Sequence, residues 1–482
     1  MTTNKKRTKI VCTIGPACES MDTLKEMVKA GMNVARLNFS HGTHDNHQML
    51  IENIREVAKQ TGEPIAVMQD LQGPKIRVGV LPEEGVGLGL GQVVKFDTYI
   101  EIYHTGVIPI DYEDLHKFVK KGERILLDDG RIEANILEVR GTNIKAQIIA
   151  GGVLKSHKGI NVPDSKLVVR ALTEKDKKDA KFGVEHGVDL VAISFVTKAE
   201  DILDLRYLIK EYEKELGLKS EQPIKIIAKI ERREAVANIE QILQVADGIM
   251  IARGDLGIEI PAQDVPLVQK RLIDLALESA KPVIVATQML DSMQNNPRPT
   301  RAEVSDVANA VIDHTDAVML SNETATGQFP VETVKTMSEI IITTEKSVYD
   351  NLLSREPKNK KTKVDDVISQ MSRTLAERVE AKVILAASIS GETARLISRY
   401  RPELPIVVST STERVKHQLN LSWGVMPFVL EPCRTIEELI GRSVLELKKL
   451  KVVGAGDKII VVAGEPVGHA GHVNLLEVRE VE

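Results

Sequence analysis

The sequence predicts an α/β protein with three parts: a (β/α)8 (TIM) barrel, a small β-barrel inserted into it as a lid, and a C-terminal α/β domain. Three observations support this prediction. Eight short apolar runs alternate with helical patterns, a turn-rich and strand-like stretch interrupts them after the third run, and five further runs follow the eighth unit. The length of 482 residues also exceeds that of one ordinary domain.

The eight runs are rich in β-branched residues and lack clean alternation, which is typical of parallel strands buried on both faces. They occupy residues 9–14, 33–37, 65–69, 189–195, 225–230, 248–252, 282–288 and 317–321. Ser20 and Gly31 bracket one helical pattern as N-cap and stop, and further helical patterns cover 44–62 and 231–247. A doubly wound open sheet is the competing architecture, but no glycine-rich dinucleotide fingerprint follows an early strand.

The gap after the third run is too long for a simple loop, so we assign residues 71–169 to an inserted lid domain. The barrel then comprises residues 1–70 and 170–345. Within the insertion, the Asp-Asp-Gly step at 128–130 and the Gly-Gly step at 151–152 predict hairpins. The last five runs place a regulatory or interface domain at 346–482.

Composition excludes several classes of protein. The 64 basic and 69 acidic residues give a net charge of −5, so neither a nucleic-acid footprint nor a polybasic membrane anchor is expected. Three cysteines without metal-ligand spacing indicate a reducing compartment. The N-terminus lacks the apolar segment of a signal peptide, and no run approaches the roughly 18 apolar residues that span a bilayer. We therefore expect a cytoplasmic protein without a membrane partner.

Polar side chains follow several of the predicted barrel strands at the points where those strands end. In a barrel of this kind the carboxyl ends of the strands meet at one rim, where the loops carry chemistry. The residues that we expect at this rim are Arg36, Asn38, Ser40, His41, Asp70, Lys75, Arg77, Lys229, Glu231, Arg253, Asp255, Thr287, Gln288, Ser321 and Glu323. Each taken alone has a structural explanation, but their convergence favours a functional one.

The residue types at the rim indicate phosphoryl transfer. Glu231 and Asp255 offer the carboxylate oxygens that Mg²⁺ or Mn²⁺ takes. Lys229, Arg36 and Arg77 are cations of the kind that stabilises charge on a transferring phosphoryl group. The hydroxyl of Thr287 has two interpretations. It hydrogen-bonds a water or the enolate carbon, or it donates a hydrogen bond to a backbone carbonyl of the barrel. The expected substrate is a small anionic keto acid or enol. No Walker A motif or kinase glycine loop is present, so a nucleotide would have to be held by the barrel rim itself.

Eight segments then resemble, in order and spacing, the signature segments of pyruvate kinases. They are KIVCTIGPA, NVARLNFSHG, QDLQGPKIR, IAKIE, ARGDLG, VATQML, PRPTRAEVSDVANAV and SNETATGQFP. The resemblance covers nearly the whole chain. It implies a glycolytic, Mg²⁺-dependent transfer of a phosphoryl group from phosphoenolpyruvate to ADP, which gives pyruvate and ATP, and it suggests a homotetramer.

The resemblance also implies a role for each matched residue. Lys229, Thr287 and Arg36 are the catalytic residues, and Gly254 and Asp255 join them in binding the substrate. Arg36, Arg77 and His41 contact phosphate and nucleotide, while Glu231 and Asp255 hold the divalent metal.

The family's common pattern holds a potassium ion near Asn38, Ser40, Asp70 and the carbonyl of Leu71. This chain departs from that pattern, because Leu71, Gln72 and Lys75 stand where the pattern has Thr, Lys and Glu, and Val78 replaces Thr. The set resembles the potassium-independent branch, in which the Lys75 ammonium would occupy the place of potassium. The alternative is that Lys75 faces solvent at the lid hinge and potassium is still bound.

A loop of the C-terminal domain resembles the family's effector site. Ser388, Ser390, Gly391 and Thr393 sit between a predicted strand and a predicted helix, where a phosphorylated effector would bind; plain helix capping is the alternative. Trp423, the only tryptophan, is expected in packing or an interface. Two other functions remain open: a carbon-carbon lyase of the related phosphoenolpyruvate-binding barrels, and a non-catalytic relative on the same scaffold.

Overall fold

The computed structural model describes residues 6–165, 171–218, 222–352, 363–464 and 473–482. Its first part contains β1 Lys9–Thr13, α1 Met21–Ala30, β2 Val34–Asn38, α2 His44–Thr61 and β3 Ala66–Asp70. The limits of α1 agree with the sequence. The Ser20 side chain accepts a hydrogen bond from the backbone of Thr23, and Gly31 ends the helix with a φ of 121°.

The insertion after β3 is built mainly from strands. Its elements are β4 Val86–Leu88, β5 Val93–Asp97, β6 Val107–Pro109, α3 Leu115–Phe118, β7 Arg124–Leu127, β8 Ile132–Arg140, β9 Asn143–Ala150, β10 Gly152–Leu154 and β11 Ile160–Asn161. Six of the strands form a sheet in the order β11-β7-β8-β9-β5-β6. Isolated bridges from Arg77 to Gly159 and from Val78 to Ile110 join the two edges of this sheet. The predicted small barrel is therefore closed by single bridges rather than by a regular strand.

Only one of the two predicted hairpin steps in the lid is a hairpin. Asp128 and Asp129 take φ values of 51° and 56° in the turn between β7 and β8. The Gly-Gly prediction is wrong, because β10 does not pair with β9 and instead pairs with β4. The chain leaves the six-stranded sheet at Gly151, where a Cβ atom would lie 2.3 Å from the carbonyl oxygen of Leu88. Gly151 is therefore needed because the two backbones approach closely here, and not because the chain makes a tight turn.

The second part of the barrel follows the lid. Its elements are α4 Glu174–Glu185, β12 Leu190–Ile193, α5 Ala199–Glu215, β13 Lys225–Ile230, α6 Arg233–Ala237, α7 Ile239–Val245, β14 Gly248–Ala252, α8 Arg253–Glu259, α9 Val265–Glu278, β15 Val283–Ala286, α10 Arg301–Ile312, β16 Ala317–Leu320, α11 Asn322–Ala325 and α12 Pro330–Glu345. The helical pattern at 231–247 forms two helices rather than one. The break lies at Asn238, whose side-chain amide donates to the carbonyl of Thr197.

The eight predicted strands close into a parallel barrel in the order β1-β16-β15-β14-β13-β12-β3-β2. This confirms the predicted fold class and shows that the doubly wound alternative is wrong. Small and medium apolar side chains fill the inside of the barrel, among them Val11, Met68, Ile227, Met250 and Met319. The interior is a packed core, so chemistry is confined to the rim.

The C-terminal domain contains the five predicted strands. Its elements are α13 Val364–Arg378, β17 Val383–Ala387, α14 Glu392–Ser398, β18 Ile406–Thr410, α15 Glu413–Leu419, β19 Val425–Val429, α16 Ile436–Lys449, β20 Lys458–Ala463 and β21 Leu475–Glu480. They form one sheet in the order β19-β18-β17-β20-β21. Only β21 is antiparallel to its neighbour.

A buried ionic contact joins this domain to the end of the barrel opposite the rim. Arg401 pairs with Asp316 at 3.0 Å, and the backbone N–H of Trp423 donates to the same carboxylate. The guanidinium groups of Arg401 and Arg7 each lie 5.1 Å from the centre of the Trp423 ring. This confirms the expectation that Trp423 is a packing residue. None of the helices in the described ranges combines the length and apolarity needed to cross a membrane.

Candidate active site

The carboxyl ends of the barrel strands bring four of the predicted charged residues into one buried cluster. Lys229, near the end of β13, places its Nζ atom 3.3 Å from Oδ1 of Asp70 and 2.9 Å from Oε1 of Glu231. Arg36, on β2, donates from Nε to Oδ2 of Asp70 at 2.6 Å. Asp70 and Glu231 are each only 1% exposed. The cluster therefore holds two cations and two carboxylates at the inner edge of the rim.

The charges in this cluster stabilise one another. Burial alone would favour the neutral form of Lys229, but the carboxylates of Asp70 and Glu231 outweigh it and raise the pKa of Lys229 above its ordinary value. Burial also acts to raise the pKa of Asp70, yet the positive charges of Lys229 and Arg36 keep it below its ordinary value. Lys229 thus remains an ammonium at neutral pH, as a group that stabilises developing negative charge must.

Two residues at the end of β12 position the cluster, and the sequence interpretation did not include them. Ser194 accepts a hydrogen bond from Lys229 Nζ at 2.8 Å and donates its own proton to the carbonyl of Leu71 at 2.7 Å. The backbone N–H of Phe195 donates to Oε2 of Glu231 at 2.7 Å. The rule that selected the other rim residues missed this pair because the fourth predicted run extends to residue 195, whereas β12 ends at Ile193.

Glu231 and Asp255 form the candidate metal site. Burial raises the pKa of Glu231, Lys229 opposes that shift, and the nearby charge of Asp255 adds to it. Asp255 lies in the first turn of α8, and its carboxylate has no hydrogen bond or ion pair with any described residue. The described residues contain no group of three or more metal-ligating side chains. Two hard oxygen donors suit Mg²⁺, which binds proteins through one or two carboxylates and keeps several waters.

Thr287 connects the end of β15 to the start of α8. Its Oγ1 atom accepts from the backbone N–H of Gly254 at 2.8 Å and donates to the carbonyl of Ala286 at 2.6 Å. A φ of 72° is costly for a β-branched residue, and Gln288 follows with a φ of 55°. The Gly254 N–H is already bonded to Thr287, so a substrate carboxylate would have to displace that bond to use it.

The predicted phosphate contacts Arg77 and His41 come from the start of the lid and from the loop after β2. Arg77 stands at the lid side, and its Nη1 atom donates to the carbonyl of His157 at 3.0 Å. His41 is exposed after β2, and the pKa of His41 is lowered first by burial and then by the charges of Arg77, Arg36 and Lys75. Lys175 on α4 adds to this effect, so His41 lies within electrostatic range of four cations.

Lys75, the predicted substitute for potassium, lies apart from the Asp70 carboxylate. Lys75 Nζ has no hydrogen bond or ion pair with any described residue, and Asp70 is paired with Arg36 and Lys229 instead. The Lys75 side chain extends toward the lid, where Nζ lies 3.8 Å from the position a Cβ would take at Gly159. The sequence predicts that the Lys75 ammonium takes the place of potassium; in this structure the two cations that contact Asp70 are Arg36 and Lys229.

The remaining predicted residues are placed as follows. Ser40 donates its backbone N–H to the Asn38 side chain at 3.1 Å, and Leu71 is buried behind the rim. Ser388 follows β17, and Gly391 precedes α14 with a φ of 80°. Ser388 and Thr393 are mostly buried. This loop lies in the C-terminal domain, away from the Lys229 cluster.

Two family models match the chain. "Pyruvate kinase, barrel domain" matches residues 5–334, and "Pyruvate kinase, alpha/beta domain" matches residues 366–479. The chain belongs to the pyruvate kinase family. Together the two matches cover the barrel and the C-terminal domain. They give no support to the alternative of a carbon-carbon lyase.

Similar proteins agree with this assignment. The chain is 45% identical over 480 residues to a pyruvate kinase of Geobacillus stearothermophilus, covering 99% of this chain and 81% of that one. It is 42% identical over 479 residues to a pyruvate kinase of Clostridium acetobutylicum, covering 99% and 100%. The crystal structure of a pyruvate kinase from Cryptosporidium parvum superposes with a TM-score of 0.91 at 35% identity, covering 100% of this chain and 98% of that one. The protein is therefore an enzyme, a pyruvate kinase.

Proposed function

We propose that the enzyme transfers the phosphoryl group of phosphoenolpyruvate to ADP at the cluster formed by Lys229, Arg36 and Glu231. The observation that carries this proposal is the buried Lys229 ammonium, held between Asp70 and Glu231 at the carboxyl ends of the strands. As the phosphoryl group leaves, negative charge develops on the enolate oxygen and spreads over the transferring group. A fixed ammonium stabilises that charge without a reorganisation cost.

The other rim residues take the roles that the geometry allows. Arg36 is anchored by Asp70 through Nε and by the Thr13 hydroxyl through Nη1, and we assign it to the phosphoryl group. Arg77 and His41 lie toward the lid and face the nucleotide phosphates. Thr287 belongs to the route that delivers a proton to the enolate carbon, which completes pyruvate.

Glu231 and Asp255 would hold Mg²⁺ or Mn²⁺. The bound metal would supply charge neutralisation for the phosphoryl group and the substrate carboxylate. The Glu231 carboxylate is held in place by the Phe195 N–H, whereas the Asp255 carboxylate has no partner among the described residues. Gly254 and Asp255, at the start of α8, would offer backbone donors to the substrate carboxylate.

We further propose that the reaction does not require potassium. Both oxygens of Asp70 already accept from Arg36 and Lys229, and the carbonyl of Leu71 accepts from Ser194. The acceptors that would attract a monovalent ion therefore have donors within the protein. Lys75 adds a tethered positive charge at the lid hinge, within electrostatic range of His41.

The remaining proposals concern regulation, assembly and location. We place domain limits at 1–70, 71–169, 170–345 and 346–482, and we assign the loop Ser388, Ser390, Gly391 and Thr393 to a phosphorylated effector. A homotetramer is supported by apolar residues exposed on α13, namely Val364, Val367 and Met371, and by β21 as the sheet edge. We place the enzyme in the cytoplasm and in glycolysis.

The test is an assay of the purified full chain with phosphoenolpyruvate, ADP and Mg²⁺, in tetramethylammonium buffer and again with potassium added. We expect equimolar pyruvate and ATP at similar rates in both buffers. Loss of phosphoenolpyruvate without ATP formation would contradict the phosphoryl-transfer proposal. A several-fold lower rate without potassium would contradict only the potassium proposal.

A further inference from the structure

The end of the barrel opposite the active site carries an excess of positive charge where it meets the C-terminal domain. Six cations gather there: Arg206 on α5, Lys225 at the start of β13, Lys281 before β15, Arg395 on α14, and Arg399 and Arg401 after α14. All six are at least partly buried. Buried charges of one sign repel each other and are costly unless they are paired.

Three carboxylates neutralise four of these cations. Asp247 accepts from Arg206 at 2.8 Å and lies 3.4 Å from Lys225 Nζ. Asp366 pairs with Arg399 at 2.6 Å. Asp316 pairs with Arg401 at 3.0 Å. Each carboxylate is therefore committed to its own partners.

Asp247 and Asp316 have further bonds that hold them in place. Asp247 also accepts from the backbone N–H of Ile226 at 2.9 Å. Asp316 also accepts from the backbone of Val283 at 3.1 Å and of Trp423 at 3.0 Å. Neither carboxylate can move toward another cation without breaking these bonds.

Lys281 and Arg395 are the two of the six cations that pair with none of these three carboxylates. Neither side chain makes a hydrogen bond or an ion pair with any described residue. Burial lowers the pKa of each group; Asp247 opposes the shift in both, and the Arg395 charge lowers the pKa of Lys281 further. The remaining carboxylate that acts on Arg395 is Glu392, whose side chain is exposed. The two cations come from different domains.

Both cations line one small cavity between the domains. Its volume is about 10 Å³, close to the smallest space that holds a single water-sized particle. The rest of the lining includes the paired residues Asp316, Arg399 and Arg401 beside Leu277, Pro282 and Ser422. The cavity thus combines the size of a monatomic ion with two donors that have no acceptor.

We infer that this junction binds a small inorganic anion, of the size of chloride, between Lys281 and Arg395. The anion would neutralise one cation from the barrel and one from α14, so its binding would strengthen the contact between the two domains. The site is separate from the Lys229 cluster at the opposite end of the barrel. It uses none of the residues assigned to the effector loop, although Arg395 lies one turn beyond Gly391.

The first test measures the melting temperature of the full-length protein in sodium chloride and in sodium gluconate at equal ionic strength. We expect chloride to raise it by about 2 °C or more, since a ligand that binds only the folded state stabilises it. Arg395→Gln and Lys281→Met should remove this difference. Arg378→Gln, an exposed arginine on α13, should keep it.

The second test uses crystals of the unmodified enzyme soaked in sodium bromide, so that it does not depend on how the variants fold. We expect an anomalous peak between Lys281 Nζ and the Arg395 guanidinium. No peak there, or equal melting temperatures in chloride and gluconate, would overturn the inference. A larger stabilisation by phosphate or sulfate than by chloride, lost in Arg395→Gln, would overturn the assignment to a chloride-sized ion.

Discussion

Lys229 Nζ donates a hydrogen bond to Ser194 Oγ at 2.8 Å, and this bond ties the central ammonium of the active site to the end of β12. Ser194 in turn is fixed by the carbonyl of Leu71. The direction of the Lys229 side chain is therefore set by three strands, because β3 contributes Asp70 and Leu71 while β13 carries the lysine itself.

Replacement of Ser194 by alanine should lower kcat by roughly tenfold to a hundredfold, because small displacements of a catalytic group are costly. The KM for phosphoenolpyruvate should change less, since Arg36 is anchored independently. Steady-state kinetics measures both values. Ser443→Ala is the matched control, as Ser443 is buried in α16 and its hydroxyl has no partner. An unchanged kcat in Ser194→Ala would show that Ser194 does not position Lys229.

Glu231→Gln should raise the Mg²⁺ concentration for half-maximal activity by roughly tenfold or more, because a neutral amide oxygen attracts a divalent cation less than a carboxylate does. A titration of Mg²⁺ at saturating substrates measures the effect. Glu240→Gln removes an exposed carboxylate on α7 and should leave the titration unchanged. Identical titrations for Glu231→Gln and the parent enzyme would rule out Glu231 as a metal ligand.

Lys75→Glu should create a potassium requirement that the parent enzyme lacks. A carboxylate at this position would replace a tethered positive charge at the lid hinge with a negative one and attract a monovalent cation. The measurement is kcat/KM with and without potassium in tetramethylammonium buffer, where we expect a change of roughly tenfold for the variant. Lys155→Glu makes the same charge change at an exposed lid position. A variant that stays insensitive to potassium would contradict this role of Lys75.

Asp350 should make the stability depend on pH. Burial raises the pKa of Asp350 to about 7, although Arg7 opposes the shift from 3.0 Å. Between the pKa of the unfolded chain and 7, the folded state binds a proton that the unfolded state has released, so stability falls as pH rises. Relative to Asp350→Asn, the parent enzyme should lose about 2–3 kcal/mol of unfolding free energy between pH 5 and 8.

Urea unfolding of both proteins at the two pH values measures this difference, because the other titrating groups cancel in the comparison. Asp204→Asn, at an exposed position on α5, serves as the control for the loss of an acid. A constant difference between Asp350→Asn and the parent enzyme across this range would mean that Asp350 ionises normally in the folded state.

The barrel and the C-terminal sheet could be predicted from the sequence because each strand is buried on both faces and so reads as a continuous apolar run. The hairpin prediction at the Gly-Gly step was wrong because residue type indicates a possible turn but does not show which sheet the next strand joins. Asn238 breaks a helix that periodicity alone would continue, since its amide bonds to Thr197 from another segment.

The sequence predicted which residues lie at the candidate site better than it predicted which of them contact each other. Strand ends identified Arg36, Asp70, Lys229 and Glu231, because chain position alone places them at the rim. The choice of partner for Asp70 depends on distances between segments, so the sequence could not show that Arg36 and Lys229, rather than Lys75, contact it. The roles assigned to these residues stay predictions until the variants are measured.

The central claim is that the Lys229 ammonium stabilises the charge of phosphoryl transfer from phosphoenolpyruvate to ADP. The most direct measurement is the kcat for ATP formation by Lys229→Met at saturating phosphoenolpyruvate, ADP and Mg²⁺, with circular dichroism to show that the variant is folded. We expect a loss of roughly a hundredfold to a thousandfold relative to the parent enzyme, in line with the removal of one electrostatic stabiliser. A folded Lys229→Met enzyme that forms ATP at the parent rate would contradict the claim.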